Sequence, residues 1–229
     1  MTAEASAIGG HILLVEDEPV NAAVAQGYLA TLGCTSVWVK DGPEAIARHA
    51  AERFDLILMD LSMPTMDGFA ATALIRQRTD AGRRVPIIAL TAHDAVSYRQ
   101  TCLQAGMDDM LSKPCTLEEC GRVLRRWLHG AAVRTEGGAA PEAGVAAGEL
   151  AAAAGRGGAS HVDAAAAARL RGLRGGQSDL YTKLVDLFHS SSSEALTQLQ
   201  TALQSSDLKA AAAVCHKLAS SAANVGALL

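Results

Sequence analysis

The sequence predicts an α/β fold: a five-stranded parallel sheet covered by helices on both faces, followed by a smaller all-α part. Three observations predict it. Short apolar runs alternate with longer segments of helical period, the runs end in polar or charged residues, and the composition changes abruptly after Gly130.

The runs HILLV, TSVWV, DLILM and VPIIAL, with the weaker DDML, read as strands one to five. Between the first two, residues 19–32 place Val20, Val24, Tyr28 and Leu32 on one stripe. Pro19 stands where a first helical turn accepts a missing N–H, and Gly33 follows where a C-terminal cap is wanted. Pro43 marks the second helix start in the same way. The last segment of this part, 117–128, carries Leu117, Leu124 and Leu128 on one face. Five strand–helix pairs make a parallel sheet that gathers ligands at the carboxyl ends of its strands.

After Gly130 the stretch GAAVRTEGGAAPEAGVAAGELAAAAGRGGAS has almost no large apolar residue and reads as a linker. The expected division is therefore 10–129, a linker over 130–160, and a helical part over 161–229. In that last part Leu180, Leu184, Leu187, Leu196, Leu199 and Leu203 keep a helical stripe. A further helix begins near Ser206 and Asp207, both good caps.

Bulk properties narrow the function classes. A net charge of −4 without a concentrated Lys/Arg block argues against a nucleic-acid surface; Arg122, Arg125 and Arg126 suit a helix C-terminus. Five cysteines with no CxxC pair suggest neither a disulfide framework nor a zinc site. No apolar run approaches the roughly 20 residues of a membrane span, and the start lacks a signal-peptide pattern. The expectation is a cytoplasmic chain without membrane contact.

The strand ends carry the chemistry. The first delivers Glu16, Asp17 and Glu18, the third Asp60, the fourth Thr91, and the fifth Ser112 and Lys113 before Pro114. Carboxylates gathered so closely repel one another unless a cation sits among them, and oxygen ligands with open positions suit Mg2+. Asp60, on the expected central strand, is the nucleophile to expect toward a phosphoryl group, with Glu16 and Asp17 holding the metal. Lys113 would pair with phosphoryl oxygens and Thr91 would hydrogen-bond one of them.

ILLVEDEPVN, DLILMDLSMPTMDG, PIIALTA and GMDDMLSKP, in this order and spacing, resemble the receiver domain of two-component response regulators and hybrid histidine kinases. The resemblance implies a flavodoxin-like (βα)5 fold and Asp60 as phosphoacceptor. It also implies Glu16, Asp17 and the Ser62 carbonyl placing Mg2+, and a cis bond before Pro114. One departure is Met110, where the family often has Tyr or Phe; it implies an altered conformational readout.

The segment VDAAAAARLRGL, with LVDLFHSSSSEALTQLQTAL and DLKAAAAVCHKLASSAANVGA, resembles the histidine phosphotransfer domain, a helical bundle. That makes His216 the phosphorylatable histidine. Residues two apart on a helix lie about 200° apart, so burying Leu218 turns His216 outward, among small Ala212, Ser220 and Ala223. The family usually has Lys three residues after the histidine and then Gly, where this chain has Ala219 and Ser220. Lys217 lies about 100° around the helix from His216. Family members continue into at least one further long helix, so the bundle reads as incomplete, with an uncovered apolar stripe. A truncated gene product and a fragment of a hybrid sensor kinase both remain open.

The implied function is phosphorelay: Asp60 takes a phosphoryl group from a histidine kinase or phosphotransfer protein, with Mg2+, and exchanges it with His216 or a further receiver or phosphotransfer protein. The alternative is a phosphorylation-controlled binding module with an inactive tail. An autonomous phosphatase of the haloacid-dehalogenase type needs a second Asp where Ser62 stands, and no GxxxxGK[ST] or GxGxxG phosphate loop is present. The oligomeric state is open.

Overall fold

The computed structural model describes residues 7–78, 84–91, 95–129, 164–173 and 180–226. The expected linker over 130–160 lies outside the described residues. In chain order the elements are β1 (His11–Val15), α1 (Pro19–Thr31), β2 (Thr35–Val39), α2 (Gly42–Ala51), β3 (Leu56–Asp60), α3 (Gly68–Arg78) and β4 (Ile87–Thr91). There follow α4 (Ala95–Gln104), β5 (Asp109–Ser112), α5 (Leu117–His129), α6 (Ala164–Arg171), α7 (Leu180–Gln204) and α8 (Leu208–Val225).

The five strands pair in parallel in the order β2-β1-β3-β4-β5, so β3 is central and its last residue is Asp60. Alternate side chains face opposite ways. Ile12, Leu14, Leu56, Leu58, Ile88 and Leu90 pack toward α1 and α5, while Leu13, Val15, Ile57, Met59, Ile87 and Ala89 pack toward α2, α3 and α4. Burial on both faces explains why β3 and β4 read as continuous apolar runs.

Helix ends obey local rules. Pro19 opens α1, and Gly33, at φ +78°, supplies the left-handed residue that ends it. Asp41 and Asp207 cap α2 and α8 by accepting from the N–H groups of Glu44 and Ala210, both at 2.9 Å. Of the two cap candidates near 206, Asp207 does the capping and Ser206 takes a turn conformation at φ +57°.

The expectation of an uncovered stripe on the C-terminal helices is corrected in part by the structure. α7 and α8 pack on each other and on α1, and α6 packs on both. Leu170, Leu184 and Val225 are buried in the same apolar cluster as Val20, Val24 and Tyr28. The reason is that α1 has a second apolar flank, with Ala22, Ala23 and Ala25 in that cluster, and small side chains let helices approach closely. Only part of the stripe is covered: Leu187, Leu196 and Leu203 remain exposed, as does Leu208 on α8.

Candidate functional site

The carboxyl ends of β1, β3, β4 and β5 bring together Glu16, Asp17, Asp60, Thr91 and Lys113, as expected from the order of the strands. Glu16, Asp60 and Thr91 are buried. Lys113 bridges two carboxylates, its Nζ lying 2.6 Å from Glu16 Oε2 and 2.8 Å from Asp60 Oδ2. The other Asp60 oxygen, Oδ1, accepts from the Ser62 N–H at 3.0 Å. Lys113 is itself placed by its N–H, which donates to the Thr91 carbonyl at 2.6 Å, and the Lys113–Pro114 bond is cis.

Burial raises the Glu16 carboxyl to about 7, against the opposing pull of Lys113 and with a further push from Asp60. Lys113 is raised: its two carboxylate partners outweigh the burial that would lower it. One carboxylate oxygen from each of Glu16, Asp17 and Asp60 falls within 4.8 Å of the others, a group among the described residues that could hold a metal ion. An all-oxygen, negatively charged donor set fits a hard divalent cation.

The loop after Asp60 is pinned from below. A Cβ at Gly68 would collide with the Asp60 carbonyl oxygen, so only glycine lets α3 start beneath the site. Asp67 caps α3, accepting from the Ala70 N–H at 2.7 Å.

The structure adds contacts that sequence reasoning missed. Lys217 of α8 forms an ion pair and hydrogen bond with Asp17. Asn21 of α1 donates to Glu16 Oε1 at 3.0 Å and accepts at 2.7 Å from Nδ2 of Asn224 on α8. Ser191 of α7 donates to Glu18 Oε1 at 2.7 Å. A signal was available for Asn21 alone, a polar residue beside Val20 and Val24 on a helix that must be buried. His216 is exposed, as expected, yet it lines a cavity of about 540 Å3 together with Asp60, Lys113 and Lys217.

Comparison with known families decides the identity of this arrangement. The response regulator receiver domain model matches residues 12–125, and the Hpt domain model matches residues 183–228. The chain carries a response regulator receiver domain followed by an Hpt domain. The sensor histidine kinase GacS of Pseudomonas protegens is 38% identical over 128 residues, 55% of this chain and 14% of GacS. The transcription factor SKN7 of Saccharomyces cerevisiae is 40% identical over 120 residues, 52% of this chain and 19% of SKN7. The chain thus spans less than a fifth of the length of these curated relatives. Among solved structures, the receiver domain of sensor histidine kinase PA1611 from Pseudomonas aeruginosa, with magnesium coordinated in its active-site cleft, is 48% identical. That match covers 53% of this chain and 98% of that one, with a TM-score of 0.49. Receiver and Hpt domains in one chain, with relatives of this kind, assign it to two-component phosphorelay signalling. Among the described residues, no helix is long and apolar enough to cross a membrane.

Proposed function

We propose that the receiver unit, residues 10–129, accepts a phosphoryl group on Asp60 from a phosphohistidine and exchanges it with His216 of the helical unit, 161–229, or with a histidine on another protein. The carrying observation is the position of Asp60, buried at the end of the central strand and bridged by Lys113 to Glu16. A carboxylate oxygen of Asp60 forms the new P–O bond as the P–N bond of the donor imidazole breaks and its nitrogen regains a proton. Mg2+, when bound by Glu16, Asp17, Asp60 and the Ser62 carbonyl, supplies neutralisation of the phosphoryl oxygens. Lys113 is positioned to transfer its contact from Asp60 Oδ2 to an arriving phosphoryl oxygen, and Thr91 offers a hydroxyl from the adjacent strand. The Ser62 N–H holds Asp60 Oδ1 and so fixes the orientation of the attacking group. Partners of matching chemistry are a histidine kinase or phosphotransfer protein upstream and a receiver or phosphotransfer protein downstream. Five free thiols support a reducing compartment, the cytoplasm.

Exchange in cis is supported by the cavity that Asp60 and His216 share. A second reading, a phosphorylation-controlled binding module with an inactive tail, is favoured by Lys217, whose charge is engaged with Asp17.

Incubation with Mg2+ and radiolabelled acetyl phosphate tests both. Alkali-labile label lost in Asp60→Asn is expected for the acyl phosphate. Additional alkali-stable label requiring both Asp60 and His216 supports exchange in cis, its absence supports the binding module, and no label at all sinks the phosphorelay reading.

A further inference from the structure

We infer that the helical unit is a releasable cap on the carboxylate site and that Lys217 on Asp17 and a divalent cation at that site exclude one another. The inference rests on the phosphorelay reading above, and it assigns regulation to the same site.

Asp17 is one of the three carboxylates that converge at the site, and only 8% of its side chain is exposed. Its cationic partner comes from α8 of the other unit rather than from the receiver. A second full cation on the same carboxylate would be repelled by the Lys217 ammonium, strongly so where water is scarce. Lys217 keeps 38% of its side chain exposed, so it has solvent to retreat into when displaced.

The polar contacts around Lys217 are of a kind that water can replace. Asn21 ties Glu16 to Asn224, and also donates to Ser220 at a long 3.4 Å, so the metal-site carboxylates and the cap share one hydrogen-bond chain. Behind Lys217 a second cavity of about 290 Å3 is lined by Asp17, Glu18, Ser191, Gln198 and Ser221. Ser221 Oγ is buried there without a protein partner. Beside the apolar cluster of Leu184 and Val225 with α1, two cavities and polar ties make a part of the contact that water can replace on separation. With α8 in place, Asp60 lines a cavity closed in part by His216 and Lys217 of α8, so on this reading a partner protein reaches it only with the cap moved.

Linkage makes the effect reciprocal: if the cation weakens the cap, the cap weakens the cation by the same factor. The test is calorimetric titration of Mg2+ into the full chain and its Lys217→Ala and Lys217→Arg variants, with amide exchange over α1 and α8. The expected result is about five-fold or tighter Mg2+ binding in Lys217→Ala, with Lys217→Arg near the native value. In the native chain, saturating Mg2+ should speed exchange over Pro19–Thr31 and Leu208–Val225. Equal affinities in all three chains, with exchange unmoved by Mg2+, overturn the cap. Normal Asp60 labelling beside that flat result leaves the phosphorelay reading standing. A clear Lys217 effect without any Asp60 label would sink that reading and keep the cap.

Discussion

The ammonium of Lys113 lies 2.8 Å from Asp60 Oδ2, at the bottom of a site where the lysine side chain is only 11% exposed. The same ammonium holds Glu16, so one cation compensates two buried acids. Removing it should leave uncompensated charge in a dry place, and breaking a buried pair costs about 3–5 kcal/mol. Lys113→Met should therefore lower the urea midpoint, and added Mg2+ should restore part of the loss. An unchanged midpoint would mean the bridge adds nothing to stability.

Gly68 allows the close approach of α3 to the Asp60 carbonyl. Gly68→Ala forces a methyl group against the Asp60 carbonyl, and overpacking of this kind costs about 1–3 kcal/mol. The expected signature is a lower melting temperature together with faster exchange at the Ser62 amide, whose bond to Asp60 Oδ1 depends on the loop. Melting at the native temperature would show that α3 shifts without strain.

Asp207 is the N-cap of α8. Asp207→Ala should cost about 1 kcal/mol, confined to the helical unit. Amide exchange should rise over the first turn of α8 and stay native in β1, β3 and β4. A change spread across the sheet would contradict that localisation.

The cysteines differ in environment. Cys34, Cys102 and Cys120 are buried and Cys215 is exposed. Burial pushes the Cys115 thiol up to about 11 and raises Cys34, Cys102 and Cys120 as well. At pH 8 a thiol reagent should modify Cys215 first, as mass spectrometry of the digested chain would show.

The same thiols give a pH dependence with a definite sign. Unfolded thiols lose their protons near pH 8.5, about where a free cysteine titrates, while the folded chain retains them. The folded state then binds more protons than the unfolded one, so stability falls as pH rises from about 9 toward 11. Urea midpoints across that range check it, and a flat profile would contradict the burial of these groups.

Much of this was legible before any coordinates. The apolar runs named every strand, most plainly the central ones, because a parallel strand buried on both faces can hardly be anything but apolar; β3, LILMD, is buried at every position, whereas the edge strand β2 is buried only at Val39. Strand ends then located Glu16, Asp17, Asp60, Thr91 and Lys113, since parallel strands deliver their carboxyl ends to one edge. The second unit was less legible. Its leucine spacing announced helices, but spacing on a helix does not say which neighbour covers a stripe.

What the sequence determined alone is therefore the sheet, its edge and the charged groups gathered there, all consequences of local period and of chain topology. Only the tertiary structure decided that Leu184 and Val225 pack against α1, that Asn21 links Glu16 to Asn224, and that Lys217 reaches Asp17. The physical reason is distance along the chain: Lys217 and Asp17 are 200 residues apart, and nothing local to either records the other. Their pairing exists because two amphipathic surfaces had apolar area left to bury, and burying it set an ammonium on a carboxylate.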